Sequence, residues 1–236
     1  MRTIQIGTHH IGKDHPTFIV AEMSGNHGGS LEQAKAIINA AKACGADAIK
    51  LQTYRADTIT LDSDAADFQI PAGDPWHHKK TLYNLYLEAF TPWEWHAPLF
   101  EFANDIGITI FSSPFDSTAV DLLEILDCPA YKIAAPEITD IPLLEKVART
   151  GKPVILSTGV AELADIKLAL ATLRGQGCDD IILLKCTAQY PAPYDSMNLN
   201  TIPDMASRFN CLAGLSDHSL GTAVPLAAVT LGACIV

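Results

Sequence analysis

The sequence predicts an α/β fold of the (β/α)₈, or TIM, barrel type. Three observations carry this. Eight short apolar runs recur along the chain, helical stretches separate most of them, and polar or charged residues collect at one end of the runs. The runs cover residues 17–21, 48–52, 108–112, 130–133, 153–157, 181–185, 211–215 and 233–236. Most are continuous rather than alternating, as expected of parallel strands covered by helices. A doubly wound open sheet is the competing arrangement. It would carry a glycine-rich fingerprint after its first strand, and Asn26-His27-Gly28-Gly29 is not one.

The intervening helices follow from spacing. Over residues 31–44, Ala34, Ile37, Ile38 and Ala41 fall on one face, with Ser30 placed to cap the start and Gly45 to stop the end. Residues 117–126, 141–150 and 161–174 read the same way, and 205–209 is a weaker case. Residues 53–95 break the rhythm: a connection this long, with Pro71-Ala72-Gly73-Asp74-Pro75-Trp76 and Leu82-Tyr83-Asn84-Leu85-Tyr86, suits a lid, a binding loop or an added helix. Val236 falls inside the eighth run, so the domain is expected to be a barrel C-terminally truncated within its eighth strand.

Composition narrows the function. Apolar residues at 48% and charged residues at 18% fit a globular chain with a substantial core. A net charge of −11 excludes a general nucleic-acid binder, which needs a basic face. No stretch is long and apolar enough for a membrane span or a signal peptide, so a cytoplasmic protein is expected. The six cysteines, Cys44, Cys128, Cys178, Cys186, Cys211 and Cys234, form no CxxC pair and read as reduced residues.

In this fold class, chemistry sits at the C-terminal ends of the strands. Those ends present Glu22, Lys50 with Gln52, Ser112-Ser113, Lys132, Ser157-Thr158-Gly159, Lys185-Cys186-Thr187 and Ser216-Asp217-His218. Two lysines among hydroxyls suit a ligand with a phosphate and a carboxylate; rim pairing with carboxylates is the alternative. Glu22 reads as an acid/base or a rim carboxylate, and His218 as a metal ligand, a base or a loop histidine. Trp76, Trp93 and Trp95 read as packing residues before substrate platforms.

Seven motifs occur in order: Ala21-Glu22 with Gly25-Asn26-His27, Lys50-Leu51-Gln52-Thr53, Ser112-Ser113-Pro114-Phe115, Tyr131-Lys132-Ile133, Leu156-Ser157-Thr158-Gly159, Cys186-Thr187 with Tyr190-Pro191, and Gly214-Leu215-Ser216-Asp217-His218. Together they resemble the sialic-acid synthase family. Tyr83-Asn84-Leu85-Tyr86, Thr91-Pro92-Trp93-Glu94-Trp95 and the run from Ser112 to Asp116 look most like its pseudaminic-acid branch. The resemblance implies condensation of phosphoenolpyruvate with an open-chain 2-acetamido sugar, giving a nine-carbon 2-keto acid and phosphate. Lys50, Ser113, Lys132, Ser157 and Ser216 would hold phosphoenolpyruvate, with Glu22, Lys50 and Lys132 catalytic. Gln52 and Tyr190 would contact the sugar, and His218 would ligate a divalent metal, Mn²⁺ or Mg²⁺.

Ala135 and Ala188 stand where sialic-acid synthases carry a serine and an asparagine, which favours a sugar other than N-acetylmannosamine. The resemblance further implies a second metal histidine and an antifreeze-like domain beyond this sequence, a homodimer, and slow or absent turnover by these residues alone. N-acetylneuraminate or legionaminic acid synthesis is the alternative activity. A Schiff-base aldolase using Lys132 or Lys185 is a second.

Overall fold

The computed structural model describes residues 3–74 and 76–236. Met1 and Arg2 of the opening run and Pro75 of the long connection lie outside the described residues. The chain opens with a hairpin, β1 (Ile4–Ile6) against β2 (His9–Ile11), turning at Gly7 with φ +56°. Ile4, Ile6 and Ile11 are buried, so the hairpin closes one end of the core. None of the eight apolar runs covers it, although Ile4-Gln5-Ile6 followed by glycine carries the two-residue period of a short strand.

A seven-stranded parallel sheet follows, with β3 (Val20–Glu22), β4 (Ala48–Thr53), β5 (Thr109–Pro114), β6 (Tyr131–Ile133), β7 (Val154–Ser157), β8 (Ile181–Cys186) and β9 (Leu212–Ser216) in sequential order. Each predicted run from the first to the seventh lies in or overlaps one of these strands. Residues 233–236 form no regular strand among the described residues, yet they hydrogen-bond on both sides. Cys234 N donates to Ala213 O at 2.9 Å, and Leu215 N donates to Ile235 O at 3.0 Å. On the other side, Val20 N donates to Val236 O at 2.8 Å and Val236 N to Phe18 O at 3.0 Å. This segment therefore joins β9 to the chain entering β3. Gly214 makes the approach feasible, because a Cβ there would lie 2.3 Å from Ile235 O.

Outside the sheet run α1 (Leu31–Ala43), α2 (Ala56–Ile59), α3 (Leu82–Ala89), α4 (Trp93–Asp105), α5 (Ser117–Ile125), α6 (Ile141–Ala148), α7 (Leu163–Gly175), α8 (Thr201–Phe209) and α9 (Ala223–Thr230). Caps set several starts. Ser30 Oγ accepts from Gln33 N, and Asp116 Oδ1 accepts from Thr118 N at 2.7 Å. The long connection becomes α2, two short 3₁₀ turns and α3, and α4 begins within its last three residues. No disulfide links the cysteines among the described residues; Cys128, Cys178, Cys186 and Cys234 are buried. No helix among the described residues is long and apolar enough to cross a membrane.

Candidate active site

Strand pleating decides which side chains meet inside the sheet. Thr53 Oγ1 bonds Ser112 Oγ at 2.6 Å and His96 Nε2 of α4 at 2.9 Å, so Thr53 and Ser112 face the helices. Their strand neighbours Gln52 and Ser113, paired in register, therefore face inward, and so does Lys50, two residues before Gln52. Glu22 is paired with Lys50 on β3, and Cys186 with Ser216 across β8 and β9. Tyr131 donates from its hydroxyl to Glu124 of α5, which turns Lys132 the other way, toward the interior. On β7, Lys132 pairs with Ile155, and Ser157 lies on that same inner face. The outer network is itself ordered: burial holds His96 near 4, so its ring is neutral and bridges Thr53 and Pro92 O.

The two ammonium groups converge as expected. Lys132 is buried, 7% exposed, and its value falls to about 7. Desolvation is the main cause and repulsion by Lys50 the second, against attraction from Glu22, Cys186 and Glu137. Lys50 pairs with Glu22, whose Oε1 also accepts from Ser24 N at 3.1 Å. Ser113 and Ser157 are buried at the same end. The Ser157 hydroxyl has no hydrogen-bond partner, an orphan that a ligand oxygen would satisfy.

At the rim, the rings of His218 and Tyr190 lie 4.2 Å apart. Thr187 O contacts His218 Nδ1 at 3.0 Å, which leaves Nε2 as the ring nitrogen for a metal. One imidazole is not a metal site, and no group of three or more His, Cys, Asp or Glu side chains suited to a metal occurs among the described residues. Lys185 lies elsewhere. Its Nζ donates to Cys186 O at 2.8 Å and Thr187 Oγ1 at 2.9 Å, and it lines an outer cavity of about 280 Å³ beside α7 and α8. Trp93 Nε1 donates to Tyr54 O, and Trp95 packs edge-on to His27, so both are packing residues; Trp76 is 51% exposed.

One residue escaped the reading of strand ends. Glu137, in the 3₁₀ turn Pro136–Thr139 after β6, has a buried Oε2 without a partner. Burial raises its value while Lys132 pulls it down, so it adjoins the buried ammonium. Its position five residues beyond Lys132, in the loop leaving the same strand, was the available signal.

The chain matches the NeuB family over residues 37–236. It belongs to that family. It is 47% identical to pseudaminic acid synthase of Helicobacter pylori, covering 94% of this chain and 64% of that protein. With pseudaminic acid synthase of Campylobacter jejuni it shares 45% identity over 99% of this chain and 67% of that one. The fold superposes on the N-acetylneuraminic acid synthetase of Leptospira borgpetersenii, crystallised with citrate, with TM-score 0.86 and 32% identity, covering 99% and 76%. This NeuB-family chain thus spans about two thirds of the length of the curated relatives it matches.

Proposed function

We propose that this chain carries the phosphoenolpyruvate site of a pseudaminic acid synthase. The observation that carries the reading is the pair Lys50 and Lys132 at one strand end beside the partnerless Ser157 hydroxyl. An anion with several oxygens meets both needs, and the identity to pseudaminic acid synthases supports the choice of product. The hydrogen bonds of residues 233–236 support a closed (β/α)₈ barrel with that segment as its eighth member. On the same reading the protein acts in the cytoplasm as a homodimer.

In the reaction, the enol π pair of phosphoenolpyruvate forms the bond from its carbon 3 to the aldehyde carbon of an open-chain 2-acetamido sugar. The aldehyde oxygen takes a proton, water adds at carbon 2, and the bond from carbon 2 to the phosphate oxygen breaks to leave a ketone. Lys50, Lys132, Ser113, Ser157 and Ser216 hold the carboxylate and phosphate. Glu22, beside Lys50, moves the proton at the aldehyde and the attacking water. Gln52 and Tyr190 orient the sugar, and Glu137 faces it from beside Lys132. A divalent metal, held in part by His218, would polarise the aldehyde when bound; no group of three or more side chains suited to a metal stands around His218 among the described residues.

The test is phosphate release from phosphoenolpyruvate with 2,4-diacetamido-2,4,6-trideoxyaltrose against N-acetylmannosamine. The first should be preferred, and silence with both in the presence of Mn²⁺ removes the assignment. A second reading rests on the same low value of Lys132, which also suits an imine-forming amine. Borohydride trapping with pyruvate should leave Lys132 unlabelled; labelling would establish an aldolase instead.

A further inference from the structure

We propose that Tyr86, supplied by the inserted segment, is a specificity residue for the acceptor sugar; this rests on the synthase reading. Tyr86 stands on α3, outside the seven strands, yet its ring meets Tyr54 at 5.6 Å edge-on. Tyr54 in turn meets Phe115 at 5.4 Å. Those two rings follow β4 and β5 directly, so the aromatic row runs from the insertion onto the strand ends that carry Gln52 and Ser113.

The polar end of Tyr86 faces chemistry. Its hydroxyl lies within the field of Glu137, which acts in turn on Lys132. Glu137 Oε2 is buried and unpartnered, so an idle hydrogen-bond acceptor stands on a carboxylate that acts on both Tyr86 and the buried ammonium. Such an acceptor beside a phenol, which both donates and accepts, suits a group bearing an N–H or O–H, as an acetamido sugar does. It does not suit phosphoenolpyruvate, whose oxygens would be repelled by the carboxylate.

The insertion is also docked firmly enough to discriminate. Gly25, in the loop after Glu22, meets α3 so closely that a Cβ would lie 2.9 Å from Ala89 O. Next to this contact is a cavity of about 370 Å³, lined in part by Gly28, Trp76, Lys79 and Glu88. Gly25 thus joins α3 to the loop that carries Glu22, and the Tyr54 contact joins it to the end of β4. Tyr86 is fixed between two parts of the mouth.

The experiment is calorimetric titration of the phosphoenolpyruvate-loaded protein with each sugar, together with initial rates, for wild type, Tyr86→Phe and Tyr83→Phe. Tyr86→Phe keeps the ring on Tyr54 and loses only the hydroxyl. It should weaken binding of the preferred sugar and raise its KM about fivefold to tenfold, as for one lost hydrogen bond. Phosphoenolpyruvate binding should stay within about twofold, and Tyr83→Phe should match wild type on both. Unchanged sugar affinity in Tyr86→Phe, or equal weakening of sugar and phosphoenolpyruvate, overturns the proposal. So does a wild type that binds neither sugar. Sugar binding without phosphate release by wild type would instead sink the synthase reading alone.

Discussion

Tyr131 and Lys132 are consecutive residues of β6, yet they belong to two opposite regions. On the outer side, Tyr131 donates to Glu124, and Lys152 reaches Glu124 at 2.9 Å and Asp127 at 3.2 Å. Those carboxylates hold Lys152 above its ordinary value despite partial burial. On the inner side, Lys132 is more deeply buried, faces Lys50, and falls to about 7. Ser157 and Glu137 there keep polar atoms without partners. Around Tyr131 and Lys152 the protein supplies the partners; around Lys132 it leaves two polar atoms without one. The contrast teaches that lysines alone do not mark the side of β6 proposed to bind a ligand, since they occur on both sides; the unpartnered polar atoms beside Lys132 do.

Four measurements can break or sharpen this contrast. Lys132→Met should cost roughly a thousandfold in phosphoenolpyruvate affinity, as when one member of a buried charge pair is removed. At pH 6 it should leave the thermal midpoint unchanged or raised, because the lost ammonium was poorly compensated. A large drop in stability with intact binding would assign Lys132 to the scaffold.

The next largest effect is on pH. Lys132 in the folded chain lies near 7 against 10.5 for the free side chain. Between those values the unfolded chain holds a proton that the folded one lacks, so this group's contribution to stability rises with pH across that window. Anion binding needs the protonated form. Affinity should therefore fall about tenfold per pH unit above 7, with proton uptake on binding at pH 8, read by calorimetry in two buffers. Flat affinity from pH 6 to 9 contradicts the role given to Lys132.

Ser157→Ala removes the orphaned hydroxyl and should weaken phosphoenolpyruvate about fivefold to tenfold without loss of stability. A destabilised variant would mean that the hydroxyl serves the fold. The smallest effect on the ligand belongs to Lys152→Met. Binding should change less than about twofold, whereas stability should fall by about 0.5–1 kcal/mol, since Glu124 is partly exposed and Asp127 almost fully so. Denaturant titration beside ligand binding separates the two.

Much of the sheet was legible because buried parallel strands write themselves as apolar runs, and glycine or proline marks their limits. Gly151 and Pro153 bracket the entry to β7 in this way. The two inward lysines of the candidate site were legible where a charged residue interrupts such a run, as Lys50 and Lys132 do. Three features were not. The hairpin β1–β2 is too short for its alternation to stand out. His96 lies in α4, a helix whose role beneath β4 and β5 depends on contacts 43 residues apart, such as that with Thr53. Glu137 looks like any loop carboxylate until folding buries one of its oxygens without a partner.

Gly214 has a consequence of its own. A Cβ there would lie 2.3 Å from the carbonyl of Ile235, so the spacing of β9 and residues 233–236 is gauged by one missing methyl group. An alanine would act as a wedge at the seam, prising residues 233–236 from β9 while they remain laced to Phe18 and Val20. The strain would travel to Ser216 and Glu22, the inward residues flanking that seam, and register as a misaligned mouth before it registered as an unfolded chain.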